Sequence, residues 1–286
     1  MSTATVAPTT NEGTFVRSFL LHVEIEFKDF WRSIISLAFI VLLPVMFYVG
    51  FGFAYRDQSA VVLELESNQI TQGNYSYAGV LTFALLSVCF ANVAIGLAIR
   101  RHHGLFKRFR TTPVSPLVVM GAFLANAIVT LVVVFVTLTL IGTLGLGVDL
   151  IVDRLPMLLG ATAIGFLCIA PLGTALSLVP PNADSAVPIV NGIFFPLAFL
   201  SGAFFALSLG ETADGILALL PGKPLMALFT GALSQSGPSW DTGAMLLLLA
   251  WGVAGTFLSL KFFKWASEKE PRGFTQRKTA KDETGD

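Results

Sequence analysis

The chain has 286 residues, a mean hydropathy of +0.75, 54% hydrophobic residues and only 13% charged ones, about half the charged share usual in a soluble domain. Its 18 Lys and Arg balance 18 Asp and Glu, so nothing in the overall charge points to nucleic acid or to strongly charged partners, and the distribution of charge matters instead. The solvent that fits this composition is lipid.

Met1 to Gly13 is polar and lacks the apolar surface needed to fold, so it is predicted to be a disordered tail. It also lacks the basic start of a cleaved signal, and the first apolar run begins late and runs long, as in a retained anchor. From Thr14 to Arg32 a helical projection gathers Phe15, Phe19, Val23, Phe27 and Phe30 on one side, with Arg17, Glu24 and Lys28 opposite. Glu26 falls on the apolar side, and Leu21 and Ile25 fall off it. The segment is predicted to be an amphipathic helix lying in the membrane interface.

A bilayer crossing needs about 20 mostly apolar residues. Six stretches meet that length: Ser33 to Ala54, Tyr77 to Ile99, Leu117 to Ile141, Pro156 to Val179, Val187 to Leu207 and Gly243 to Phe263. The expected fold is therefore an all-α membrane protein, with a six-span domain over 33–263 and a charged tail over 264–286. A seventh apolar stretch, Ile216 to Leu233, is cut by Pro221-Gly222-Lys223-Pro224 into pieces too short to cross. It is read as a re-entrant hairpin before the last span. Outer loops would then cover Tyr55 to Ser76, Gly142 to Leu155 and Ser208 to Thr242, and Pro180 to Ser185 would form a short inner loop.

Between the second and third spans lies Arg100-Arg101-His102-His103-Gly104-Leu105-Phe106-Lys107-Arg108-Phe109-Arg110-Thr111-Thr112-Pro113, with five cations in eleven residues. Each Arg or Lys at the bilayer centre costs roughly 2.5 to 3.5 kcal/mol, so these five must lie in water. With six spans and both termini inside, fifteen of the eighteen cations are cytoplasmic, while the acids divide ten inside to eight outside. That bias belongs to Lys and Arg alone, as the positive-inside rule requires. A seventh span would place the seven C-terminal cations outside.

No phosphate-cradling G-x-x-x-x-G-K-[ST] occurs, and the Gly222-Lys223 pair is followed by proline. His22, His102 and His103 lack metal-ligand spacing; the last two point about 100 degrees apart on a helix and are read as a hydrated pair. Cys89 and Cys168 are read as small buried hydrophobes. The predicted span interiors hold no ionisable residue, which removes the usual equipment of a proton relay. What they hold is uncharged: Asn92, Asn126, Thr130, Thr137, Asn191 and Ser201, groups that join helices or line a path. Prolines 44, 171, 188 and 196 kink spans one, four and five. Phe194, Phe195, Phe199, Phe204 and Phe205, placed in the fifth span, either pack or offer a wall to apolar, aromatic cargo.

In order along the chain, four features resemble the type 2 ABC-transporter permease family. They are the amphipathic lead-in helix, the Arg100 to Ser115 loop, the run Phe195-Pro196-Leu197-Ala198-Phe199-Leu200-Ser201-Gly202-Ala203-Phe204-Phe205, and Leu220-Pro221-Gly222-Lys223-Pro224-Leu225. The resemblance implies the membrane subunit of an ATP-driven exporter in a bacterial inner membrane. It would pair with a second permease copy or paralogue and with two cytosolic ATPase subunits, in contact with membrane lipid and not with nucleic acid. This chain would be no enzyme and carry no cofactor; ATP and magnesium would sit on the partner ATPase. Arg100, Arg101, Gly104, Leu105, Phe106, Lys107, Arg108, Phe109, Arg110 and Pro113 would form its coupling loop. Leu105, Phe106 and Phe109 suit an apolar groove, and Lys107, Arg108 and Arg110 suit acidic rims. Asn92, Asn126, Asn191, Phe195, Phe199 and Phe204 are the candidate cargo path. Compact loops favour hydrophobic drugs or lipids; the alternatives are a polysaccharide or lipid-linked polymer exporter, or a non-transporting scaffold.

Overall fold

A computed structural model describes residues 12–32, 38–54, 62–65, 68–104, 116–145, 152–206 and 210–262. Helix α1 spans Glu12–Arg32. A π-helical turn at Ala38–Leu42 leads into α2, Leu43–Ala54. Strands β1 (Val62–Leu65) and β2 (Asn68–Thr71) form an antiparallel hairpin with Val62 opposite Thr71. Then come α3 (Gln72–Leu85), a second π turn (Leu86–Asn92) and α4 (Val93–His102), followed by α5 (Pro116–Gly145), α6 (Leu155–Leu176) and α7 (Ala183–Leu200). Helices α8 (Glu211–Ala218), α9 (Gly222–Ala232) and α10 (Thr242–Phe262) complete the described residues.

The pillar of the bundle is the 31-residue rod Gln72–His102, made of α3, the π turn and α4. In its most apolar stretch 83% of the residues are buried, against 17% in α10 and 22% in α7. Hydrocarbon gives apolar helices no hydrophobic reason to associate, so dispersion and close backbone approach must hold them, and small residues permit that approach. The seams obey this rule. Gly252 and Gly255 of α10 lie against Cys168 and Leu172 of α6, where an added Cβ would come within 2.9 Å of Cys168 Cα and 2.7 Å of Leu172 N. In the π turn each backbone bond reaches one residue further than in an α-helix, which swells the rod. The carbonyls of Cys89 and Phe90 press on α6 at Gly173, where a Cβ would stand 2.4 Å and 2.8 Å from those oxygens.

Local sequence sets the helix ends. Asn182 Oδ1 accepts from Ser185 N at 2.8 Å, and Ser185 Oγ accepts from Asn182 N at 3.3 Å, a capping box that starts α7. Pro156 occupies the first turn of α6, where a missing N–H costs nothing. Pro171 lies inside α6 and removes one helical hydrogen bond. Its own carbonyl accepts from Ser259 Oγ at 3.0 Å, which fastens this turn of α6 to α10.

At the Gln72 end of the rod, Gln69 O of the hairpin accepts from Gln235 N at 2.8 Å. Buried Arg154 donates from Nη1 to Leu233 O at 2.8 Å, capping the exit of α9. Helices α8 and α9 together are apolar enough to cross a membrane, but they meet at a bend of 84° between Thr212–Ala218 and Gly222–Ala232. Trp251 Nε1 donates to Leu219 O at 2.8 Å and holds that bend against α10. Replacing Arg154 by methionine keeps the bulk and removes the charged donor. A hydrogen bond to a charged group is worth about 1.5–3 kcal/mol, so R154M is expected to lower the Tm of the purified protein in detergent.

The protein is an all-α membrane protein, and among the described residues five helices are long and apolar enough to cross, or six if the bent pair counts as one span. Ser33 to Leu37 lie outside the described residues, so the first expected span is seen only as Ala38–Ala54. Two expectations need correction. The fifth span was expected over Val187 to Leu207, but α7 begins at Ala183 and stops at Leu200. Gly202 at φ +83° turns the chain there, so Phe204 and Phe205 belong to a turn and not to the helix. The loop expected between Tyr55 and Ser76 contains the β-hairpin and the first turn of α3.

Candidate coupling site and cargo path

Arg100, Arg101 and His102 occupy the last turn of α4, where cations complement the negative end of the helix dipole. His103 N bonds Ile99 O at 3.0 Å, Gly104 N bonds Arg101 O at 3.2 Å, and Gly104 takes φ +67°. That left-handed position ends the helix and is the reason for glycine. Leu105, Phe106, Lys107, Arg108, Phe109, Arg110 and Pro113 lie outside the described residues.

The root of the loop is fastened at three points. Arg100 Nη2 pairs with Glu26 Oε2 of α1, the two side chains being 21% and 15% exposed. Its guanidinium also lies 4.4 Å from the ring centroid of Phe123 in α5, a cation–π arrangement. Gly96, one turn earlier, makes room: a Cβ there would stand 2.8 Å from the Phe123 ring and 3.1 Å from Arg100 Nη1. Arg101 Nη2 donates to Pro180 O at 2.8 Å, tying the rod to the connection between α6 and α7. Helix α1 lies along α5, with the Phe19 ring over Gly121. On its exposed side Lys28 pairs with Glu24 at 2.5 Å and holds that carboxyl below its ordinary range.

The place of Glu26 on the apolar side of α1 is thereby explained, since that side meets Arg100. Glu26 and Phe123 were not among the expected site residues. The histidines differ from expectation: His103 is exposed, but His102 Nε2 is buried without a hydrogen-bond partner.

Among the candidate path residues, the structure gathers the aromatic ones. Phe204 packs 4.7 Å from Phe199, 5.0 Å from Phe47, 5.3 Å from Phe83 and 5.4 Å from Phe51. Phe195 joins through Phe194, which lies 5.0 Å from it and 5.3 Å from Phe83. The turn carrying Phe204 is held where Tyr75 donates to Gly202 O at 2.6 Å and where Ala203 O sits against Gly79. Phe47 and Phe51, four apart in the first apolar stretch, stack at 6.2 Å; that spacing was the signal available for adding them. The asparagines are not gathered in this way. No hydrogen bond among the described residues joins Asn92, Asn126 and Asn191. Asn92 closes the π turn, Asn126 is buried with Oδ1 unpartnered, and Asn191 is half-buried on α7.

The model of one family, the ABC-2 type transporter, matches residues 17–213, from α1 through the basic loop and α7 to the start of α8. The chain belongs to the ABC-2 type transporter family. A comparison with curated proteins finds no match. Membership makes the chain the membrane subunit of an ABC transporter, a multi-pass protein of a kind that normally pairs with an ABC ATPase. The match ends before α9, so the Leu220 to Leu225 motif lies beyond it.

Proposed function

We propose that this ABC-2 permease carries hydrophobic drugs or lipids outward, driven by ATP hydrolysed with magnesium on a separate cytosolic subunit that grips residues 104–113. The observation that carries the coupling role is the junction at Arg100, where one guanidinium meets Glu26 of α1 and Phe123 of α5. A push on the loop just beyond it reaches the rod, the lead-in helix and α5 together. Arg101 passes the same displacement to Pro180. Such rigid, hydrogen-bonded elements are what a two-state transmission needs.

The apolar cargo class is supported by the Phe47, Phe83, Phe199 and Phe204 rings and by the uncharged character of the span interiors. Aromatic surface favours apolar and aromatic ligands, whereas a polymer of sugars asks for hydrogen-bonding groups. The placement of fifteen cations on one side supports cytoplasmic termini in an inner membrane, with α1 in the interface and the α8–α9 bend as a re-entrant hairpin on the outer side. A second permease copy would complete the path.

Deleting Gly104 to Arg110 tests the reading. The deletion is expected to abolish co-purification with the partner ATPase while the permease still inserts into the membrane. Unchanged co-purification would remove the coupling role and leave a membrane scaffold.

A further inference from the structure

A cavity of about 310 Å³ opens on the flank of the bundle between α5, α6 and α10, a size within the range of small-molecule sites. Met120, Leu124, Phe166, Leu167, Pro171 and Leu260 form most of its wall, and none of them belongs to the Phe204 ring cluster. Three hydroxyls also border it, and each already donates its one proton. Thr174 bonds Ala170 O at 3.0 Å, Thr256 bonds Gly252 O at 2.8 Å and Ser259 bonds Pro171 O at 3.0 Å. The cavity therefore offers a ligand dispersion contacts and no free hydroxyl donor. At its margin Leu167 and Leu260 are 68% and 81% exposed, so in a bilayer the mouth meets hydrocarbon.

Charge selects among apolar occupants. Helix α10 ends at Phe262, two residues past Leu260. From Lys261 to Lys281 the sequence carries seven cations against two acids, Glu268 and Glu270. Lys261 Nζ lies 5.4 Å from the ring centroids of both Phe257 and Phe262, a long side chain keeping its stem on apolar surface near the boundary with water. A basic run directly after an apolar helix attracts anionic lipid by about 1 kcal/mol per cation near the surface.

We propose that this cavity holds one acyl chain of an anionic phospholipid whose headgroup is met by Lys261 at the end of α10. The wall selects the chain and Lys261 selects the headgroup. The site requires neither the ATPase nor a particular cargo, and it stands whichever way the bundle is oriented.

The test uses the full-length protein in detergent with phosphatidylglycerol or phosphatidylcholine carrying a diazirine midway along one chain. After irradiation, mass spectrometry locates the labelled peptides. Phosphatidylglycerol is expected to label the stretches 120–124, 166–174 and 256–260 above the other lipid-facing helices. Thr256→Phe fills the cavity from an exposed position and is expected to remove most of that labelling; Leu124→Phe serves if the first variant does not fold. Lys261→Gln is expected to reduce the preference for phosphatidylglycerol over phosphatidylcholine by about fivefold, the equivalent of about 1 kcal/mol. Labelling spread evenly over these stretches, α7 and the rest of α10, or unaffected by filling the cavity, overturns the site. Equal labelling by the two lipids, displaced by an apolar dye such as Nile red, overturns the lipid assignment and makes the occupant cargo.

Discussion

Valine in place of Gly79 is expected to be the most damaging single substitution in the bundle. A Cβ at this position would lie 1.8 Å from Ala203 O and 2.8 Å from Ala203 C. These are backbone atoms, so no rotamer change relieves the overlap, and the Ser201–Phe205 turn must move as a whole. Overpacking of this kind costs about 1–3 kcal/mol, occasionally more. Moving the turn also pulls Phe204 from among four rings, and losing a buried Phe side chain is worth about 3–5 kcal/mol. The loss of most folded protein in detergent is the expected result. Gly192→Val is the control, since nothing lies within 4 Å of a Cβ there. If both variants give equal folded yield and equal Tm, the contact between the turn and the rod is wrong.

Arg100→Glu is expected to have the largest effect on transport. The substitution sets two carboxylates against each other and takes the cation away from Phe123. Removing one partner of a buried ion pair costs about 3–5 kcal/mol, and this pair, still about one-fifth exposed, falls at the lower end of that range. In a reconstituted complex ATP hydrolysis is expected to continue while cargo movement per ATP falls to a small fraction. The charge exchange Glu26→Arg with Arg100→Glu restores the attraction and is expected to recover most of the stability, though not the cation–π contact. A double variant no better than the single one would show that the pair does not hold α1 to the rod.

The helical class and the apolar stretches could be read from the sequence because composition and periodicity act locally. Other features depend on contacts between distant residues. Glu26 was visible as an acid on the wrong side of an amphipathic helix, but its partner lies 74 positions away in the chain. The end of α7 was obscured by an apolar run that continues past it. Ser201-Gly202 was the available stop signal, since a glycine in left-handed backbone ends a helix. The π turn Leu86–Asn92 contains neither Gly nor Pro, and the missing side chain at Gly173, far along the chain, leaves room for its carbonyls. The hairpin strands have four residues each in an acidic stretch, too short for alternation to be recognised. Phe204 could be named a candidate, yet its neighbours come from α2, α3 and α7, an assembly that follows from topology alone.

The uneven enclosure of the helices bears on how such a chain drifts over generations. Along α7 and α10, where only 22% and 17% of the apolar stretch is covered, one aliphatic residue can replace another without disturbing a neighbour inside the subunit. Along Gln72–His102 nearly every direction is occupied, and a change there must be answered by a change in another helix. Divergence between distant homologues should therefore accumulate at the periphery, and ancestry should be most readable in the rod.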